Sequence, residues 1–120
     1  MKEEVKRWLD KAKDDFRKAH DNFSIGNYDL CSFLCQQSVE KGLKALILTK
    51  GDKIIKTHDL IFLAEKVNLP ENLREVCKEL TLMYVHTRYP DTPEIKDIKN
   101  KSKRYVEFTG NILKWIERQL

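Results

Sequence analysis

The chain has 120 residues, 41% of them apolar and 35% charged, and its 23 basic and 19 acidic side chains leave a net charge of +4. That length makes one domain, and a domain of this size buries roughly two-thirds of the surface its unfolded chain exposes, enough for a core without staples. A mildly positive field permits contact with a polyanion without demanding one, and no apolar run approaches the roughly 18 residues of a membrane span.

The amino-terminal stretch MKEEVKRWLDKAKDD lacks the apolar centre of a signal peptide. The three cysteines are an odd count and do not complete a disulfide framework. A reduced, cytoplasmic setting is therefore expected.

Val5, Trp8, Leu9, Ala12, Phe16, Ala19 and Phe23 recur at helical spacing and predict a first helix over about residues 3–24. Gly26 suits its stop and Asn27 the cap of the next. The second helix is predicted from Tyr28 to Thr49, with Gly51 ending it. It is apolar on more than one side. Leu30, Phe33 and Leu34 lead into Val39, Leu43, Leu46 and Ile47, while Cys31, Cys35, Ser38, Gly42 and Ala45 form a stripe of small side chains. Small side chains let another helix approach closely, so this helix is expected at the centre. Its apolar surplus also suggests a homodimer with a two-fold interface.

Thr57 is expected to cap a short third helix over about residues 58–67, with Leu60, Ile61, Leu63, Ala64 and Val67 inward. Pro70 falls in the first turn of a fourth helix carrying Leu73, Val76, Cys77, Leu80 and Tyr84. This helix should end near Arg88, because the residue before Pro90 is pushed out of the helical region. Thr92 and Pro93 then open a fifth helix as cap and first residue, with Ile98, Tyr105, Phe108, Ile112, Trp115 and Ile116 inward. The expected fold is all-α: a single domain over residues 1–120, built as an antiparallel up-and-down helical bundle of four long helices plus one short helix.

Few residues carry chemistry. Cys31 and Cys35 lie one turn apart, but no second pair of ligands follows, so they read as buried small groups and no metal is expected. Gln36, Glu40 and Lys44 fall at i, i+4, i+8, with Gln37 and Lys41 beside them. Either Glu40 and Lys44 form an ordinary surface ion pair, or this stripe faces a cleft or a partner. His58, placed in the first turn of the third helix, reads as neutral, hydrogen-bonded and structural.

The stretch YVHTRYPD, residues 84–91, is of another kind. Arg88 offers a planar fork suited to phosphate, His86 an acid–base group, and Tyr84 and Tyr89 aromatic faces. Downstream, KDIKNKSKR adds five basic residues against one acidic. The pattern suggests a phosphate-binding patch. The plainer alternative is that Arg88 caps the fourth helix and pairs with Asp91. No glycine-rich phosphate loop, paired-carboxylate motif or serine nucleophile elbow is present.

The tryptophan and AKDDF of the first helix, YDLCSFLCQQSVEKGLKALI in the second, THDL at the third and RYPD after the fourth together resemble the HEPN domain family, whose name stands for higher eukaryotes and prokaryotes nucleotide-binding. The resemblance spans nearly the whole chain and is to the stand-alone prokaryotic type. It implies a dimeric helical bundle associated with nucleotides or RNA and often encoded beside a minimal nucleotidyltransferase, in toxin–antitoxin pairs or similar modules. Many relatives are metal-independent ribonucleases with an arginine followed, after four to six residues, by a histidine. Arg88 matches that arginine, but the positions at that spacing are Pro93, Glu94 and Ile95.

The expectation is thus a non-catalytic nucleotide- or RNA-binding module, without cofactor and without a membrane. Arg88, His86, Tyr89, Lys41 and Lys44 are its candidate binding residues, and a homodimer and a nucleotidyltransferase are its expected partners. The alternatives are a weak ribonuclease using Arg88 and His86, or a purely structural dimeric subunit.

Overall fold

The computed structural model describes all 120 residues as five helices and no strand: α1 (Glu3–Ser24), α2 (Tyr28–Thr49), α3 (Leu60–Lys66), α4 (Glu71–His86) and α5 (Ile98–Gln119). The first two follow the sequence pattern closely. Val5, Leu9, Ala12 and Ala19 are buried along one face of α1, with Trp8, Phe16 and Phe23 packed at its margins. Gly26, at φ +84°, turns the chain at the end of α1. Its N–H donates to Phe23 O, and that of Asn27 to Asn22 O, so carbonyls orphaned by the helix end are satisfied.

Helix α2 is the axis of the bundle and packs against all four other helices. Its small stripe explains how. A methyl group at Gly42 would stand 2.9 Å from Ile116 Cδ1 and 3.0 Å from Leu113 Cδ2, so α5 lies directly on that glycine. Ser38 Oγ donates to Ala12 O at 2.7 Å, tying α2 to α1. Cys31, Cys35 and Ala45 are wholly buried. The larger residues Val39, Leu43, Leu46 and Ile47 are buried as well. The chain therefore covers most of the apolar surplus of α2 by itself, and the surplus no longer argues for a second copy.

Three boundaries differ from the sequence reading. Asp59, not Thr57, caps α3: its carboxylate accepts from the N–H groups of Ile61 and Phe62, and Thr57 Oγ1 accepts from Asp59 N–H one step earlier. His58 consequently lies outside the helix. Pro70 occupies the capping position of α4 rather than its first turn.

The largest difference is at α5, which begins at Ile98 and not at Pro93. Thr92 caps no helix. Its hydroxyl turns back to the carbonyls of His86 and Tyr89 and closes the turn that ends α4. A threonine hydroxyl serves either purpose, and tertiary closure decided between them.

The contact at Gly42 gives the first prediction. Gly42→Leu pushes bulk into a filled gap between α2 and α5 and is expected to lower stability by about 1–3 kcal/mol. Urea denaturation reads this as a lower midpoint at unchanged slope. Wild-type stability would mean that the two helices can separate there without loss.

Candidate functional site

The turn after α4 builds a polar cleft of about 580 Å³. One wall is the start of α2, with Tyr28 and Asp29; the other is His86 at the end of α4 and the segment after it, with Arg88, Tyr89 and Glu94. Three of the five candidate residues, Arg88, His86 and Tyr89, thus line one cavity. Arg88 is exposed and its guanidinium makes a single hydrogen bond, from Nη1 to Tyr84 Oη at 3.0 Å. Its carbon lies 4.9 Å from the centre of the Tyr84 ring and 5.9 Å from that of Phe33. Asp91 is not its partner, so the alternative of a capping arginine paired to Asp91 is set aside. The Nδ1 atom of His86 is buried without any hydrogen-bond partner. Tyr89 is 56% exposed, an aromatic face open to solvent at the mouth.

Behind this cleft runs a line of polar contacts into the core. Glu40 and Lys44 are each only 6% exposed, so theirs is no ordinary surface pair. The Glu40 carboxylate accepts from Lys44 Nζ at 3.0 Å and from Gln36 Nε2 at 3.0 Å, and it lies 2.8 Å from His58 Nδ1. The His58 ring stacks on Tyr84, centroids 4.0 Å apart and planes 18° apart. Tyr84 in turn holds Arg88. The three stretches that stood out in the sequence, around residues 36–44, 57–60 and 84–91, therefore meet in space.

Lys41 and Lys44 do not line the Arg88 cleft. Lys44 is committed to Glu40 and also lies 5.9 Å from the centre of the Trp8 ring. Lys41 pairs with Asp15, a carboxylate of α1 that is itself buried and that the apolar pattern gave no reason to place inward. The cysteines lie apart from the cleft and are buried as small groups; burial pushes the Cys77 thiol up to about 12, so it stays protonated. Tyr28 and Asp29 were not singled out as site residues in the sequence, and Glu94 only as one of the positions where the family's histidine would stand. Their place in the cleft depends on how the 87–97 turn folds against α2, which no local pattern records.

Five helices around a central α2, with a buried Glu40–Lys44 pair that His58 reaches from a loop and an arginine-bearing turn above it, define an all-helical bundle with a polar corner. A sequence profile of the HEPN domain matches residues 5–119, and the chain belongs to the HEPN domain family. Among solved structures it is similar to TT1696 from Thermus thermophilus, at 29% identity and a TM-score of 0.86, over 97% of this chain and 98% of that one. It is also similar to ST0689, an archaeal HEPN homologue, at 27% identity and a TM-score of 0.81, over 99% of this chain and 98% of that one. No curated protein matches it. No helix is long and apolar enough to cross a membrane.

The cluster makes a stability prediction. Glu40→Ala strands the Lys44 charge in the core and is expected to cost about 3–5 kcal/mol. Thermal melting followed by circular dichroism measures it. A loss below about 1 kcal/mol, the range of exposed pairs, would mean that Lys44 reaches water without difficulty.

Proposed function

We propose that this chain is a non-catalytic module that grips the phosphate of a nucleotide or of single-stranded RNA, as a homodimer and beside a separately encoded minimal nucleotidyltransferase. The observation that carries the reading is Arg88: an exposed guanidinium with no acidic partner, tethered to one tyrosine and facing a cleft large enough for a nucleotide. Guanidinium N–H groups match phosphate oxygens in a planar, two-point fashion.

The surroundings fit the rest of such a ligand. Tyr89 offers a face on which a base can stack. Asp29 and Glu94 offer acceptors for ribose hydroxyls or base amino groups. A second cleft of about 320 Å³ shares His86, Pro93, Glu94 and Ile95 with the first; Lys96 and Lys101 line it alongside Glu79, whose charge Arg104 pairs, so the two ammonium groups can meet a neighbouring phosphate of a longer strand there.

A homodimer has support outside α2. Leu82 and Val85 in the last turns of α4 and Tyr89 just beyond it are exposed. Apolar residues gathered beside the polar cleft suit a two-fold contact. Sedimentation at micromolar concentration is expected to give twice the monomer mass, and Val85→Lys to shift it towards the monomer. A wild-type monomer would refute the dimer.

Binding is tested with adenosine 5′-monophosphate by calorimetry and with a fluorescein-labelled oligouridylate decamer by anisotropy. Arg88→Ala is expected to weaken binding about tenfold or more while leaving melting nearly unaltered. Arg88→Lys keeps the charge but loses the fork and should recover only part of the affinity. The difference between wild type and Arg88→Ala should shrink as salt rises. The decamer should stay intact throughout. An Arg88→Ala protein that binds as well as wild type at low salt would overturn the reading, as would cleavage of the decamer that His86→Ala abolishes.

A further inference from the structure

Arg88 sits beyond the end of α4, where a long side chain on an exposed turn samples many rotamers. Each rotamer frozen on binding weakens affinity, so an arginine held in place before the ligand arrives binds more tightly than a free one. The contacts behind Arg88 supply such a hold, and each is made by a group that is itself held.

Lys44 and Gln36, both in α2 and both buried, fix the Glu40 carboxylate from two sides. Glu40 lies at hydrogen-bond distance from His58 Nδ1, which sets the plane of an imidazole otherwise 52% exposed in its side chain. The imidazole lies nearly flat on Tyr84, and Phe33 flanks the same ring at 6.2 Å between centroids. Tyr84 Oη accepts from Arg88 Nη1. Phe33 also stands under the guanidinium. An isolated tyrosine on an exposed helix end would not fix an arginine; a tyrosine stacked on a held imidazole and flanked by a phenyl ring can.

We infer that His58 and Tyr84 are positioning residues for Arg88: through Glu40 they transmit the rigidity of the core to the guanidinium and aim it into the cleft. The inference rests on the phosphate-binding reading above and deepens it. It also sets the form of the ligand contact. Tyr84 engages Nη1, which leaves the Nε–Nη2 edge with two parallel N–H bonds for two oxygens of one phosphate. Tyr84 and His58 need not touch the ligand themselves. This accounts for a cluster of buried polar groups that a simple helical bundle does not require, and gives one purpose to sequence stretches some forty residues apart.

The test uses two variants that keep a flat ring in place. Tyr84→Phe retains the stack on His58 and removes the hydroxyl that holds Arg88. His58→Phe retains a ring over Tyr84 and removes the hydrogen bond to Glu40. Each is titrated with the same oligouridylate decamer, alone and in an Arg88→Ala background. Tyr84→Phe is expected to weaken binding about three- to tenfold, the scale of one net hydrogen bond, at unchanged melting temperature. In the Arg88→Ala background neither variant should weaken binding further, because nothing remains to be aimed. A residue with a merely structural role would act equally in both backgrounds.

A measurement without ligand complements this: the 15N relaxation of the Arg88 Nε–H should report a rigid group in wild type and a mobile one in Tyr84→Phe and in His58→Phe. Wild-type affinity in Tyr84→Phe, or an equal loss in the Arg88→Ala background, would overturn the inference while a weakened Arg88→Ala protein left the phosphate reading standing. Wild-type affinity in Arg88→Ala would overturn both.

Discussion

The carboxylate of Glu40 is the point on which the structure turns. It is almost wholly removed from water on the central helix, and a charge in that position is costly unless donors surround it. Gln36 and Lys44 flank it one turn to either side, and His58 closes the third approach. The amide and the ammonium come from α2 itself, at spacings the helix guarantees. The imidazole comes from the 50–59 connection, which has no regular structure of its own. Satisfying Glu40 therefore fixes where that connection runs, and with it the entry into α3.

The same requirement reaches α4. His58, once held, presents a flat face, and Tyr84 lies on it. Thr81, one turn earlier on α4, accepts from the N–H of Leu60 at the start of α3. The short helix and the end of α4 are thus tied together next to Glu40. A second set of constraints acts at the other side of α2, where Gly42 and Ser38 let α5 and α1 come close. One helix accordingly carries two kinds of order: a small-residue side that brings helices near by shape, and a polar side that orients the loops by hydrogen bonding. Removing a partner from the second costs more than its net contribution suggests, since the other partners stay buried.

What the bundle then offers to solvent is narrow. The chain after α4 is folded back by Thr92 onto the carbonyls of His86 and Tyr89, which prevents α5 from starting at once and opens the cleft against the start of α2. Arg88 stands at its rim, held at one nitrogen and free at the others. The rigid part of the molecule and the polar corner are continuous, and an arginine on a turn gains a fixed direction from a carboxylate in the core.

The sequence by itself determined the helices. The 3.6-residue recurrence in α1, the mixed faces and small stripe of α2, and glycines at 26 and 51 carry that information locally, because helix periodicity and positive-φ turns are properties of short stretches. Family resemblance lay in the same short stretches, and the profile match over residues 5–119 bears it out. The tertiary structure alone decided the rest. Nothing at Glu40 and Lys44 distinguishes a buried pair from a surface one, since i,i+4 spacing is common to both; burial came from helices far away in sequence. Nothing local told that Asp15 faces inward to Lys41, that Asp59 rather than Thr57 caps α3, or that Thr92 closes a turn instead of opening a helix. His58 looked structural and lies between core and cleft, stacked on the tyrosine that holds Arg88. In each case the residue could satisfy its hydrogen bonds in more than one way, and the choice was made by which partners the packed bundle brought within reach.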